Sequence, residues 1–479
     1  MPFEPISFED EDQSNAIRRA INEFEPRALR TYTPTLAVLA KSAGIFHWTP
    51  EGRRLYDYSS GVLVANLGHN PRPWLNRFAE YLGWNGVLGS DGPAYVEAVP
   101  LTAYNAITEI EAEACERLVG LMRACPGGGR MEQVLWAASG SEAIQKALWA
   151  ALHFQEQRQP DRNIILATRD GFHGKKGLAG ACTGDERSHD RDPRVKFISF
   201  PKAECLDVSL RGKPFDSIPY RHELETLWRE HGRRIAVLIT EPYLGGAGSF
   251  HPPAEYLQLL QAFCREHEII FILDEVQANF GRTGSLFAYE TYGVEPDIVV
   301  LGKGLANGVA VSAAVGRSDV FASLDYGEGS DTWSANPMAC AAVLATLDIF
   351  EANDIIGHAR EIAKIIEAGL VRLQQLPFVK YVRGEGVVWA VEMCDHAGRS
   401  AADWAVECVR ACYLGEPGGD GIHLLGPLAG KAIRISPPLV ISEAEAVESL
   451  DLMNRILSRL DGPESHGSPA RAAAMASAT

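Results

Sequence analysis

The chain contains, at residues 269–277, the stretch IIFILDEVQ. Its apolar half, Ile269–Leu273, is short and continuous, which predicts a strand buried on both faces of a sheet. Two carboxylates and an amide follow directly, and α/β proteins bind ligands at the carboxyl ends of such strands. Asp274 could equally cap the next turn, and this segment alone does not separate a ligand site from a cap.

A second apolar strand, Asp297–Leu301, leads to Lys303 between two glycines, 29 positions after Asp274. A lysine at the end of a buried strand is unusual, because burial penalises the ammonium unless it is paired or loses its charge. A desolvated lysine with a lowered pKa is what Schiff-base chemistry requires. The alternative is an exposed lysine in a glycine-rich turn. The spacing does not fit the Gly-x-x-x-x-Gly-Lys-Ser/Thr motif of nucleoside triphosphate sites.

Two further strings join a predicted strand to a turn. In VLWAASGSEA, residues 134–143, the strand passes into a helix whose free N–H groups at Gly140 and Ser141 suit a phosphate. The string DGFHG places Phe172 and His173 on a tight turn after another strand. Each string alone is weak evidence, since serine caps and ordinary loops are common.

Around these segments the chain alternates helix and strand, which predicts an α/β fold with a mostly parallel sheet covered by helices on both faces. Ser14 is expected to cap an N-terminal helix, and a hairpin is expected around residues 49–52. A long alanine-rich helix is expected after Pro337, ahead of a smaller α+β unit. The predicted strands also include Gln133–Ala137, Asn163–Ala167, Arg234–Thr240, Val309–Val315, Val379–Arg383, Val387–Glu392 and Ala432–Ile435. The predicted helices include Asn15–Phe24, Glu111–Ala124, Ser141–Gln155, Ala254–His267 and Glu443–Leu460.

Composition and charge exclude several classes of protein. The 479 residues carry a net charge of −17, which disfavours a nucleic-acid surface because phosphate binding needs clustered lysine and arginine. No apolar run approaches the roughly 20 residues of a membrane span, and no secretory signal is recognised. Nine scattered cysteines without a Cys-x-x-Cys pair predict free thiols. We therefore expect a soluble cytoplasmic protein that binds neither membrane nor nucleic acid, and we assign no metal ligand.

Together the segments resemble one family, the class-III, fold-type I aminotransferases, which depend on pyridoxal phosphate. The resemblance extends through Glu241-Pro242 and the strings FGRTG, TWSANP and RISPPL, in family order over nearly the whole chain. It implies a large cofactor-binding domain at residues 76–335 and a small α+β domain at 336–462. Residues 1–75 would contribute to the small domain. The composition of 463–479, rich in Gly, Pro, Ser and Ala without periodicity, separately predicts a disordered tail.

The resemblance also implies roles for individual residues. Lys303 would hold the cofactor as a Schiff base and then carry a proton between substrate and cofactor, and Asp274 would keep the ring nitrogen protonated. Gln277 would donate to the phenolic oxygen of the ring. Phe172 would stack on one face of the ring and Val276 would pack on the other. The phosphate would be bound by Gly140, Ser141 and Thr332, and His173 is a further expected cofactor contact. In relatives the threonine that matches Thr332 belongs to the partner subunit, so the resemblance implies an obligate homodimer.

Arg434 matches the arginine that binds a substrate carboxylate in relatives through two parallel hydrogen bonds. The alternative is a structural arginine ahead of a Pro-Pro turn. Ornithine-type and 4-aminobutyrate-type relatives carry a glutamate that pairs with this arginine when no carboxylate is bound, and here Gly246 stands in its place. This departure puts ornithine, acetylornithine and 4-aminobutyrate in doubt as substrates. The candidate contacts of a hydrophobic donor are Val62, Leu63, Tyr104 and Trp333.

The expected function is transfer of an amino group from an amine or amino-acid donor to a 2-oxo acid by a ping-pong cycle. The same cofactor supports amino-acid racemisation, epimerisation and decarboxylation, which these motifs do not separate from amino transfer. A catalytically silent binding protein is a third possibility. The presence of both Asp274 and Lys303 argues against it, because a silent copy has no chemical need for either residue.

Overall fold

The computed structural model describes residues 6–85, 95–185 and 190–461. Its strands in chain order are β1 (Lys41–Ala43), β2 (Phe46–Trp48), β3 (Arg54–Asp57), β4 (Gln133–Ala137), β5 (Ile164–Thr168), β6 (Val195–Ile198), β7 (Ile235–Thr240), β8 (Ile270–Asp274), β9 (Ile298–Leu301), β10 (Ser312–Gly316), β11 (Val379–Glu385), β12 (Val388–Met393), β13 (Gly421–His423) and β14 (Ala432–Ile435). Its helices are α1 (Asp12–Phe24), α2 (Ser60–Leu63), α3 (Arg72–Tyr81), α4 (Glu109–Ala124), α5 (Gly140–Arg158), α6 (Gly177–Cys182), α7 (Ile218–His231), α8 (Ala254–Glu266), α9 (Ala288–Tyr292), α10 (Ser318–Phe321), α11 (Pro337–Ala352), α12 (Ile355–Arg372), α13 (Ala401–Leu414) and α14 (Glu443–Ser458).

The central sheet has, within the described residues, seven strands in the order β4-β10-β9-β8-β7-β5-β6. The strands from β9 to β6 run parallel to one another, and β10 is antiparallel to both of its neighbours. The predicted α/β fold with a mostly parallel sheet is therefore confirmed. The sequence prediction missed the edge strand β6.

The predicted strand Val309–Val315 begins later, at Ser312, and runs in the opposite direction to β9. A left-handed Asn307 and a hydrogen bond from the Val309 N–H to the Ala306 carbonyl form a turn just before it. The link from Leu301 to Ser312 is shorter than the dozen or more residues that a parallel crossover needs. An antiparallel strand is the arrangement that this short link allows.

The two faces of the central sheet are packed separately. Ile270 and Ile272 belong to a buried cluster with the inward side of α5, whereas Phe271 and Leu273 belong to a second cluster with α4 and α11. Alternate residues of a strand point to opposite faces, so a continuous apolar run is what a sheet covered on both sides requires. The predicted helices on both faces are confirmed.

Two smaller sheets flank the C-terminal helices. Strands β11, β12 and β14 form an antiparallel sheet packed on α12, α13 and α14, close to the predicted boundaries. The predicted hairpin is present as β2 and β3, and β13 adds to it in parallel. This pairing of N-terminal and C-terminal segments supports our proposal that residues 1–75 join the unit at 336–462. The tail predicted at 463–479 lies outside the described residues.

The N-terminal helix corrects one detail of the sequence prediction. Helix α1 begins at Asp12, so Ser14 lies in its first turn and is not the residue that caps it. The Ser14 N–H and hydroxyl both donate to the Glu51 carboxylate, at 2.8 and 2.7 Å. The acceptor for the free helix N–H comes from a distant residue, which local sequence does not reveal. Among the helices that the structure describes, none has both the length and the apolar character needed to cross a membrane.

Candidate active site

Lys303 and Asp274 meet at one edge of the central sheet, because β8 ends at Asp274 and the adjacent parallel strand β9 ends just before Lys303. Lys303 has a φ of 47°, a left-handed conformation that is uncommon for residues other than glycine. Its ammonium is largely withdrawn from solvent, and burial lowers the lysine pKa to about 8, although the Asp274 charge acts in the opposite direction. A lysine of this kind is partly uncharged at neutral to mildly basic pH and therefore nucleophilic.

The two carboxylates at the carboxyl end of β8, Asp274 and Glu275, have different partners. Asp274 accepts a hydrogen bond from the Val276 N–H at 3.0 Å, and its other oxygen lies 2.7 Å from Nδ1 of the buried His173. Glu275 instead accepts the Ala288 and Tyr289 N–H groups at the start of α9, each at 2.7 Å. Asp274 thus caps the turn, as one interpretation of the sequence predicts, and its charge also acts on Lys303; its role toward a ligand stays a prediction.

A third carboxylate, Glu241, follows β7 at the same sheet edge and is 2% exposed. It accepts hydrogen bonds from the Phe172 N–H at 2.9 Å, the Gly245 N–H at 3.3 Å and the Gln277 side-chain amide at 3.1 Å. Burial, reinforced by the Asp274 charge, raises the pKa of Glu241 to about 7. This carboxyl can therefore change its charge near neutral pH.

Arg434 lies on β14 of a smaller sheet, and its guanidinium reaches the same group of side chains. It donates to the Gly245 carbonyl at 3.1 Å and to the Gln277 amide oxygen at 3.4 Å. Its Nε is buried without a hydrogen-bond partner, and both oxygens that accept from Arg434 belong to uncharged amide groups. Burial lowers the pKa of Arg434, but an arginine keeps its charge. An anionic ligand would supply the missing partner.

The start of α5 leaves two backbone donors free. Ser139 caps the helix, its hydroxyl accepting the Glu142 N–H and its carbonyl accepting the Ala143 N–H. The N–H groups of Gly140 and Ser141 then have no acceptor among the described residues, which is the arrangement that binds phosphate groups. A Cβ on Gly140 would come within 3.1 Å of Val276, so glycine lets this helix end approach the strand.

The other residues predicted to contact the cofactor or the substrate differ in their exposure to solvent. Phe172 is 38% exposed beside Glu241, whereas Thr332, Trp333 and Tyr104 are exposed and are joined to the buried group by no hydrogen bond in the described chain. Asp331, next to Thr332, is bound at 2.6 Å by Lys146 of α5, which fixes this loop relative to the helix. Leu63 is buried in the main core and is not available to a ligand.

Val62 lies on a turn in which every residue from Ser60 to Leu63 has a positive φ. Asp57 fixes this left-handed turn by accepting the Ser59 and Ser60 N–H groups at 2.7 and 3.1 Å. Burial alone would raise the pKa of Asp57, but hydrogen bonds from His47 and His69 lower it well below its usual range. A permanently charged Asp57 thus stabilises a strained turn of the kind found at binding sites.

Sequence reasoning gave no role to two residues of this site. Glu241 enters the family resemblance without a role, yet it lies at the carboxyl end of a buried strand as Asp274 does, and that position is the available signal. Asn279 donates to the carbonyls of Glu275 and Gly302, at 2.6 and 3.1 Å, and so ties the ends of β8 and β9 together ahead of Lys303. No local pattern marks an amide for such a role.

Both the sequence and the fold of the chain match known proteins. The family model described as "Aminotransferase class-III" matches residues 28–457. An ornithine aminotransferase of Emericella nidulans is 27% identical over 455 residues, covering 93% of this chain and 91% of its own. An omega-aminotransferase of Caulobacter vibrioides is 28% identical, covering 88% and 94%.

Solved structures agree with these relatives. The crystal structure of a PLP-bound amine transaminase from an uncultivated Pseudomonas species superposes with a TM-score of 0.75 at 26% identity, covering 91% of this chain and 96% of that one. A thermostable (S)-enantioselective omega-transaminase from Thermomicrobium roseum gives 0.74 at 26% identity, covering 93% and 95%. The match therefore spans both the central sheet and the C-terminal unit that supplies Arg434. The chain belongs to the class-III aminotransferases of fold type I, enzymes that use pyridoxal phosphate to transfer an amino group.

Proposed function

We propose that this chain transfers an amino group from an amine or amino-acid donor to a 2-oxo acid in two half-reactions, with Lys303 as the proton carrier and Arg434 as the carboxylate-binding residue. The observation that carries this proposal is the position of Lys303. A lysine with a lowered pKa lies at a sheet edge together with Asp274 and, one strand further, Glu241. The relatives reported above are named for amino transfer and none for racemisation or decarboxylation.

The residues present fit pyridoxal phosphate. The free N–H groups of Gly140 and Ser141 suit its phosphate, and the buried Asp274 carboxylate suits a protonated ring nitrogen. Val276 lies against the helix end at Gly140, where it can cover one face of a ring. When bound, the cofactor supplies an electron-withdrawing ring that stabilises negative charge on the substrate carbon next to nitrogen.

The chemical roles of the side chains follow from their protonation states. Lys303 can hold the cofactor covalently and, in its neutral form, accept and return the proton of the substrate carbon. Asp274, oriented by His173, would hold a proton on the ring nitrogen. Arg434 would orient the carboxylate of an amino or oxo acid through a charge-assisted pair. Val62 and Trp333 remain our proposals for contacts with the rest of the substrate.

A screen of half-reactions tests this function. Purified holoenzyme is mixed with single amine or amino-acid donors, and the amino-loaded enzyme with single 2-oxo acids, while cofactor absorbance is followed. We expect spectral conversion by at least one donor without any acceptor present, and the reverse conversion by a 2-oxo acid. Product formation that needs both substrates together would contradict two separate half-reactions.

The reaction of Lys303 with the cofactor is expected to depend on pH. Because only the neutral amine attacks, the rate of cofactor attachment to the apoenzyme should rise with pH and reach half its maximum near pH 8. Asp274→Asn removes a charge that raises the lysine pKa, so the midpoint should move to lower pH. Arg434→Ala removes a positive charge that lowers the lysine pKa, so the midpoint should move to higher pH. Stopped-flow absorbance measures all three midpoints, and equal values would contradict this electrostatic coupling.

Arg434→Ala should separate substrates by their carboxylate. Loss of the charge-assisted pair should weaken transition-state binding of oxo acids and α-amino acids by about 2–5 kcal/mol. A donor without a carboxylate, such as an arylalkylamine, should react in its own half-reaction as before or slightly faster. Arg434→Lys should rescue little, because a point charge does not reproduce a two-pronged contact. Single-turnover kinetics measures each case, and equal damage to both substrate classes would mean that Arg434 is structural.

We also propose that the active enzyme is a homodimer in which Thr332 completes the phosphate site of the partner. Thr332 is exposed, and three large side chains nearby in sequence or on residues 95–107 are almost fully exposed, namely Tyr326 at 103%, Tyr95 at 91% and Ile107 at 89%. Exposed apolar surface of this kind is typical of an interface between subunits.

Sedimentation of the holoenzyme should therefore give twice the chain mass of 52.2 kDa. Thr332→Ala should leave that mass unchanged and weaken cofactor binding by about 10- to 100-fold, as expected for one hydrogen bond to a charged group. A monomer that binds the cofactor fully would contradict the proposal.

A further inference from the structure

Two hydrogen-bonded bridges connect the buried acid Glu241 to the buried base Arg434. The side-chain amide of Gln277 donates to Glu241 at 3.1 Å and accepts from Arg434 at 3.4 Å. The peptide groups at Gly245 do the same, the N–H donating to Glu241 at 3.3 Å and the carbonyl accepting from Arg434 at 3.1 Å. The Gln277 amide lies between the positive and the negative group and is polarised in the direction that couples the two charges, and the two peptide groups of Gly245 bind the same two side chains beside it.

This double bridge leaves no space for a side chain at Gly245. A Cβ there would come within 2.8 Å of the Gln277 amide oxygen, the atom that accepts from Arg434. At Gly246, by contrast, a Cβ would make an ordinary contact of 3.4 Å with Phe172. Space therefore does not exclude a side chain at Gly246, and the bridge requires glycine at Gly245.

Glu241 is surrounded by charged and titratable groups from several elements. Asp274 at the end of β8 raises its pKa, whereas Lys303 after β9 and His173 after β5 lower it. Arg434 on β14 and Tyr243 on the same loop also act electrostatically with it. The Arg434 charge favours the ionised carboxyl, so any ligand that neutralises Arg434 removes part of that support.

We propose that Glu241 is the internal counter-charge of Arg434: it is ionised when the ligand has no carboxylate and takes up a proton when a ligand carboxylate pairs with Arg434. The proposal rests on the proposed function of Arg434 and extends it to the choice of substrate. It gives the chain a way to accept both carboxylated and uncarboxylated substrates at one site, with Arg434 kept in place. The proton comes from solvent, and no covalent step is involved.

The consequence is that carboxylate binding is linked to pH. Glu241 has a pKa near 7 in the free enzyme, and if a bound carboxylate raises it by about one unit, binding at pH 7 takes up roughly 0.4 of a proton. Affinity for the carboxylate should then fall as pH rises, by about tenfold between pH 6 and pH 9. An uncarboxylated ligand should show neither effect at this residue.

Isothermal titration calorimetry of the holoenzyme tests the proposal without turnover. The probes are 3-phenylpropionate and its amide, which differ only in the carboxylate, titrated in two buffers of different ionisation enthalpy to count protons. We expect uptake for the carboxylate alone. Glu241→Gln should abolish the uptake and give a carboxylate affinity that does not change between pH 6 and pH 9. Gly245→Ala should reduce the uptake, because it displaces Gln277.

Glu275→Gln is the matched control. Burial also raises the pKa of Glu275, to about 8, but its carboxylate binds the start of α9 and is not bridged to Arg434, so proton uptake should persist. The absence of proton uptake in the unmodified enzyme, or equal uptake in Glu241→Gln, would overturn the proposal. If Arg434→Ala leaves carboxylate affinity unchanged, the function of Arg434 itself fails, and the two failures are thereby distinguished.

Discussion

Replacing Lys303 with alanine is expected to abolish multiple turnover, lowering kcat by about 100- to 10,000-fold or more. Alanine has no group that can hold the cofactor covalently or carry the proton of the substrate carbon. The N–H groups of Gly140 and Ser141, which we propose bind the phosphate, and the carboxylate of Asp274 are untouched, so cofactor should still bind without a covalent bond. Steady-state kinetics and equilibrium dialysis with cofactor measure the two effects separately.

Lys202→Ala is the control for this experiment. Lys202 is partly exposed and pairs with the equally exposed Asp170 at 2.9 Å, so its loss should leave turnover within about twofold of the original. Retention of near-normal turnover by Lys303→Ala would refute the assignment of the proton carrier. Loss of cofactor binding in both variants would point to damage of the fold.

Asp274→Asn is expected to slow proton abstraction by about 100- to 1,000-fold, as the loss of one preorganised electrostatic partner does in other enzymes. A neutral amide cannot stabilise a protonated ring nitrogen, so the ring withdraws electrons less strongly. The amide can still accept the Val276 N–H that Asp274 accepts at 3.0 Å, so the turn should persist. The primary isotope effect on a donor deuterated at the reacting carbon should increase as this step becomes more rate-limiting.

Asp297→Asn is the control, because Asp297 lies at the amino end of β9, opposite the strand end that leads to Lys303. Asp297 precedes β9, accepts the Phe271 N–H at 2.9 Å and pairs with Arg130 and Arg317, so its loss should cost about 1–3 kcal/mol of stability. Proton abstraction in the folded variant should stay close to that of the original enzyme. Similar slowing in both aspartate variants would indicate a general effect of lost buried charge.

The sequence was sufficient to predict the edge that carries Lys303 and Asp274. Both follow continuous apolar runs, and such runs predict adjacent buried strands whose carboxyl ends meet. The antiparallel β10 was also within reach, because the chain between Leu301 and Ser312 is too short for a parallel crossover. The apolar pattern predicts a strand here, but the direction of that strand depends on the length of the link before it.

Other parts of the site depend on contacts that no local pattern contains. The double bridge from Arg434 to Glu241 joins three segments separated by more than 150 residues at its widest. The left-handed turn that carries Val62 is stabilised by Asp57 together with His47 and His69, although positive φ is unfavourable for valine. Here tertiary hydrogen bonds override backbone preference, and sequence reasoning could not have found the turn.

Thr332 belongs to a third category. The role that we propose for it depends on a second copy of the chain, and within one chain it is an exposed residue on a loop that Lys146 fixes through Asp331. Only the resemblance to the family suggested a function for it. Sedimentation of the holoenzyme and the cofactor affinity of Thr332→Ala therefore test the role of Thr332.

The central claim is that Lys303 carries the cofactor, and reduction with borohydride tests it most directly. Purified holoenzyme is reduced, digested and mapped by mass spectrometry, with Lys303→Ala treated in parallel. We expect a pyridoxyl-phosphate adduct on one peptide, at Lys303, and no adduct in the variant. An adduct on another lysine of the original enzyme, or no adduct after reconstitution with cofactor, would contradict the account.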